Sequence, residues 1–291
     1  MAPFSKNFVW GTATASYQIE GAWRADGRGL SICDAFSRVP GNILDGGSGD
    51  IACDHYHRFR EDIGLIQEMG LNAYRFSISW PRILPEGRGE ANEAGLRFYD
   101  QLIDCMLERN IEPWVTLYHW DLPLSLMKEG GGLISPEFPS WFEAYASLCF
   151  DRFGDRVKRW ITFNEPWCSA KLGYGSGDMA PGRVSTAEPY LPGHRILQAH
   201  GRAVLIYRAR YTDSQKGLIG MSNNCDWREP LSSDPEDRIA AERSLERFLG
   251  WFADPIYRGD YPDIMRSDLG DELPGFTDGE REALKGSISS V

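Results

Sequence analysis

No stretch of the 291-residue chain approaches the ~20 consecutive apolar residues that a membrane-spanning helix needs. The opening residues, Met1-Ala2-Pro3-Phe4-Ser5-Lys6-Asn7-Phe8, contain no apolar run of secretory type. Together these absences lead to the expectation of a cytoplasmic protein with no membrane partner. Positive charge is also scarce. Acidic residues outnumber basic ones by 42 to 31, and the net charge of −11 argues against nucleic acid and against an anionic membrane surface. The six cysteines (Cys33, Cys53, Cys105, Cys149, Cys168 and Cys225) include no Cys-x-x-Cys pair. Without a secretory signal, free thiols are expected rather than disulfides. The close histidine pair, His55 and His57, starts a helix with no carboxylate cluster around it, so no metal is expected. Gly46, Gly47 and Gly49 lack the strand-to-helix setting of a phosphate loop. No low-complexity linker divides the chain, which reads as a single domain over residues 1–291.

What is present is a rhythm. Apolar, β-branched and aromatic runs predict strands at 8–16, 72–80, 113–120, 157–165 and 218–225. Between them, apolar residues at helical spacing predict helices at 56–69, 93–109, 141–153, 193–210 and 237–252. Thr277 and Glu280 fit a capping box that opens a short helix through Lys285. Residues 22–54 and 173–182 read as loops. Strands alternating with helices at intervals of about 40 to 60 residues predict parallel strands with right-handed crossovers. Polar groups collect at the strands' C-terminal ends, where a (β/α) barrel places its active site. Ten tryptophans suit carbohydrate binding, and large cores use them too.

The stretch Thr162-Phe163-Asn164-Glu165-Pro166-Trp167 concentrates the chemistry. Pro166 cannot donate to a sheet ladder, so the strand should end near Glu165. An amide, a carboxyl and an indole then stand together at a strand end. The carboxyl could transfer a proton to a ligand, the amide bind a hydroxyl, and the ring stack on a sugar face. The alternative is that Asn164 and Glu165 only cap the following turn. Likewise His119 could be a core histidine, Arg75 an ordinary ion-pair partner, and Glu20 structural.

Four motifs in order carry a resemblance. They are 8–21 (Phe-Val-Trp-Gly-Thr-Ala-Thr-Ala-Ser-Tyr-Gln-Ile-Glu-Gly), 74–80 (Tyr-Arg-Phe-Ser-Ile-Ser-Trp), 117–123 (Leu-Tyr-His-Trp-Asp-Leu-Pro) and 162–167, with 251–262 as a fifth. The chain resembles the N-terminal part of glycoside hydrolase family 1 β-glucosidases of the intracellular fungal kind, from about residue 4 to 286. The resemblance implies a TIM-barrel (β/α)8 fold and a retaining hydrolase of terminal β-D-glucosyl O-glycosides, with a β-glucoside or oligosaccharide substrate and no cofactor. It implies Glu165 as the general acid/base, Asn164 on the sugar 2-hydroxyl, and Arg75 orienting the nucleophilic carboxylate. Gln18 and His119 would bind glycone hydroxyls beside Trp120, and Trp167 would line the aglycone side.

Only five strands can be placed in the sequence, and no second carboxylate stands in a motif matching the nucleophile. A retaining pair needs two carboxyls ~5–5.5 Å apart. The expectation is therefore a barrel truncated to about the first five β/α units, an inactive fragment on its own that self-associates through open barrel edges. Two alternatives accompany it: a non-catalytic sugar-binding protein, and a half-barrel completed by a second chain.

Overall fold

The computed structural model describes residues 4–5 and 7–289. Ser290 and Val291 lie outside the described residues. Five parallel strands form one sheet in chain order: β1 (Gly11–Ala13), β2 (Ala73–Ser77), β3 (Glu112–Tyr118), β4 (Arg159–Asn164) and β5 (Leu218–Ser222). Each neighbour in the sheet is also the next strand in sequence, so every connection is a crossover that returns to the same starting end. All five C-terminal ends therefore face one way.

The crossover helices form because their apolar residues recur on one face. In Glu93–Leu107, Leu96, Tyr99, Leu102, Ile103 and Met106 are buried, and the Asn92 side chain caps the N-terminus by accepting from the Ala94 amide at 3.2 Å. Phe138–Phe153 carries Pro139 in its first turn, where no donor is lost. Its Tyr145 hydroxyl donates to the Leu117 carbonyl at 2.7 Å, and its ring stacks on Trp80 at 4.4 Å between centroids. Such a stack adds about 1 kcal/mol beyond its area. The helix Tyr190–Arg210 packs across it. Gly193 in that helix is obligatory, since a Cβ there would stand 2.6 Å from Cζ2 of Trp251.

Buried polar residues bind the outer layer to the sheet. His200 is fully buried; its Nε2 lies 2.9 Å from the Ser287 carbonyl and its Nδ1 2.7 Å from the Thr162 hydroxyl, which itself donates to the Gly220 carbonyl at 3.1 Å. Burial holds its pKa down at about 4, so the ring is neutral. Glu20 is structural: its carboxylate meets Arg82 at 2.9 Å and Tyr99 at 2.6 Å, deep in the core. His55 and His57 each bond a carboxylate, Asp62 and Asp54.

Several elements depart from the sequence-based expectation. The region 22–54 contains the helix Ile32–Ser37, opened by a capping box between Ser31 and Asp34. Residues Cys168–Ser176 wind as a π-helix where a loop was expected only from 173. The expected helix over 237–252 is divided by a π-turn, Glu246–Gly250, into Pro235–Leu245 and Trp251–Arg258. The Thr277–Glu280 capping box is present at the start of Asp278–Leu284. Beyond it the chain turns back beside β5, where the Ser289 amide donates to the Ile219 carbonyl at 3.0 Å. No helix among the described residues is long and apolar enough to cross a membrane.

Candidate active site

The site is built at the C-terminal ends of β2, β3 and β4. Arg75 in β2 donates from Nε to the Thr116 hydroxyl at 2.9 Å and from Nη2 to Oδ1 of Asn164. A guanidinium only donates, so the Asn164 amide must turn its oxygen toward Arg75. Its nitrogen then faces the other way and donates to Nε2 of His119 at 3.0 Å. With Nε2 accepting, the neutral imidazole carries its proton on Nδ1, which is buried and has no protein partner. Burial first, and the positive charge of Arg75 second, hold the His119 pKa down at about 3, which keeps the ring neutral. Burial also draws the Arg75 pKa below its ordinary value, while the Glu165 charge opposes that shift. Among the described residues, Glu165 is the carboxylate whose charge bears on Arg75.

Trp120 and Glu165 each lie one or two residues past a strand end with positive φ, at 76° and 47°. Neither is glycine, so both backbones are strained. The strain is held by hydrogen bonds: the Trp120 indole donates to the Asn164 carbonyl at 2.9 Å, and the Glu165 amide donates to the Ser222 carbonyl at 2.7 Å. The Glu165 side chain accepts from the Cys168 thiol at 3.4 Å.

Arg75, His119, Trp120, Asn164 and Glu165 are thus brought together, as their motifs suggested. Gln18 is exposed on the helical turn Ser16–Ile19 and joins none of these bonds. Trp167 stacks on Phe248 at 4.2 Å and lines a cavity of about 750 Å³ shared with Tyr190, Arg243 and Trp251. Thr116 and Cys168 were not singled out from the sequence. Cys168 could have been, since three residues past Glu165 is the same face of a helical turn.

Comparison with known proteins identifies the family and the fold. A family model described as glycosyl hydrolase family 1 matches residues 1–291. "Beta-glucosidase 42" of Arabidopsis thaliana is 51% identical over 97% of this chain and 58% of its own length. "Beta-glucosidase 1B" of Phanerodontia chrysosporium is 50% identical over 97% of this chain and 54% of its own. The crystal structure of the β-glucosidase from Trichoderma harzianum superposes with a TM-score of 0.96 and 52% identity, covering 99% of this chain and 63% of that one. The family 1 β-glucosidase from Thermotoga maritima does so with a TM-score of 0.92 and 46% identity. The chain spans about three fifths of the length of these relatives.

These matches correct the expectation of an N-terminal likeness ending at residue 286, and of a truncated, inactive fragment. The family match runs through residue 291, and relatives align over nearly the whole chain. Beyond residue 286 the chain continues alongside β5 as far as Ser289. Five strands were countable because five lie among the described residues, and where the last residue falls is no measure of truncation or of lost activity. With the motifs, the strand-end site and the match over its whole length in agreement, the chain belongs to glycosyl hydrolase family 1.

Proposed function

We propose that the protein is a β-glucosidase-type hydrolase of terminal β-D-glucosyl O-glycosides, with Glu165 as general acid/base. The observation that carries this reading is the fixed array Arg75–Asn164–His119 beside Glu165. It presents an amide, a neutral ring with a free Nδ1–H, and a carboxyl at one strand-end site. In this reading Glu165 protonates the leaving-group oxygen and later takes a proton from water. Asn164, oriented by Arg75, meets the sugar 2-hydroxyl, and His119 donates to a neighbouring hydroxyl. Trp120 supplies an apolar wall. Gln18 completes the glycone contacts by turning inward from its exposed position, and Trp167 lines the aglycone path. Arg75 also suits a role in keeping a carboxylate ionised and oriented, as a retaining mechanism requires.

The likeness to proteins named β-glucosidases supports the substrate class. The six free cysteines support a reducing, cytoplasmic setting. The test is the initial rate of aryl β-glucoside hydrolysis beside Glu165→Gln. A rate that the substitution lowers by roughly a hundredfold or more supports the assignment, and a rate indifferent to it refutes the role of Glu165.

A further inference from the structure

We propose that Cys168 is a positioning residue for Glu165 and that Asn224 fixes the direction of its thiol hydrogen. The inference rests on the reading of Glu165 as the acid/base and extends it to residues outside the motifs. Cys168 is 6% exposed at the head of the π-helix, with its amide donating back to the Glu165 carbonyl at 3.0 Å. Its Sγ lies 3.4 Å from Glu165 Oε2, an ordinary length for a thiol donor. On the other side of the sulfur, Nδ2 of Asn224 donates to it at 3.3 Å. Since the amide N–H occupies the sulfur as acceptor, the S–H is left to aim at the carboxylate.

The geometry is a two-point hold from the end of β5. Ser222 accepts the Glu165 backbone N–H at 2.7 Å, and Asn224, two residues on, holds its side chain through Cys168. A carboxyl that must give and later take a proton on a glycosidic oxygen gains from having one oxygen pinned and the other free. The thiol suits this task better than a charged donor, because it adds no charge to the site. Burial, then the negative charges of Glu165 and Asp226, hold the thiol pKa up at about 12, with Asn224 opposing. The group therefore stays a donor at working pH and does not compete as a nucleophile.

Two measurements on the full chain test the proposal. In the first, Cys168 alkylation by iodoacetamide is followed by peptide mass spectrometry, with the exposed Cys225 as internal reference. Glu165→Gln should speed Cys168 relative to Cys225 by roughly tenfold, the change that a one-unit fall in thiol pKa produces. An unchanged ratio overturns the proposal whether or not the chain hydrolyses glucosides. In the second, Cys168→Ala should slow hydrolysis of an alkyl glucoside about tenfold more than that of a dinitrophenyl glucoside, whose leaving group needs little protonation. Cys168→Ser should restore the alkyl rate. Equal losses on both substrates would mean a merely structural role and overturn the proposal. Alkylation coupled to Glu165 in a chain without hydrolysis would refute the proposed function while upholding the Cys168–Glu165 pairing.

Discussion

His200 sets a pH limit on the fold. It bridges Thr162 in β4 to the Ser287 carbonyl, so it fastens the terminal segment to the sheet. Burial disfavours the charged imidazole and lowers its pKa from 6.5 to about 4. A depressed histidine pKa means that the unfolded chain binds the proton more readily than the folded one. Stability from this group is therefore present above pH 6.5 and lost as the pH falls through about 4. Between about pH 7 and about pH 5 most of that loss occurs, and one pKa unit corresponds to about 1.4 kcal/mol, so the expected cost is about 2 kcal/mol. Asparagine at this position cannot titrate and keeps one of the two bonds. His200→Asn should thus lose about 1 kcal/mol near pH 7, yet show about 2 kcal/mol less acid sensitivity than the parent. Urea unfolding of both proteins at the two pH values measures the difference. Equal acid sensitivity, to within about 0.5 kcal/mol, would refute the argument.

Asp121 works in the opposite direction. It is fully buried with Oδ1 unpartnered, Ser16 donates to its other oxygen at 2.9 Å, and burial raises its pKa from 3.8 to about 6. Its stabilisation is complete below pH 3.8 and lost as the pH rises through about 6. The stability of Asp121→Asn relative to the parent should improve by about 2 kcal/mol between about pH 4 and about pH 7; a constant difference by urea unfolding would contradict this. Arg82→Met strands the Glu20 carboxylate in the core and should cost about 3–5 kcal/mol; a change below about 1 kcal/mol would show that the pair is not buried in solution. With a native-state thiol reagent, the exposed Cys53 and Cys225 should react first and Cys105 and Cys149 last; fast labelling of Cys149 would contradict the packing of the helix Phe138–Phe153.

The strands β2 to β4 and the major helices were legible in the sequence, because mostly buried parallel strands leave dense apolar runs; of the expected strand 8–16 only Gly11–Ala13 forms, and it is largely exposed. The terminal capping box was also readable, since Thr277 and Glu280 are adjacent in the code that forms it. The equivalent Ser31–Asp34 signal was present but sat among glycines, which suggested loop. The division of 237–252 was not readable. A π-turn bonds i to i+5 and so displaces the apolar face, and here only the packing of Trp251 against Gly193 shows where the chain rotates. Within the site, Arg75, His119, Asn164 and Glu165 were visible through their motifs. The amide orientation that joins them was not, because it follows from a guanidinium contributed by a different strand. Asn224 was hidden because its relation to Glu165 crosses from β4 to beyond β5, whereas Cys168, three residues past Glu165, was within reach of helical spacing. The inference from the last residue to a truncated product failed because it treated an endpoint as a structural signal.

The left-handed backbone of Trp120 and Glu165 bears on how this protein could be engineered. Both positions would relax if occupied by glycine, and asparagine is better tolerated there than most residues. A screen for heat resistance alone would therefore reward replacement of the indole that braces Asn164 and of the carboxyl that we assign to proton transfer. Strain at two adjoining strand ends makes these residues the first casualties of selection for stability, so a thermostability library built on this chain should hold both codons fixed.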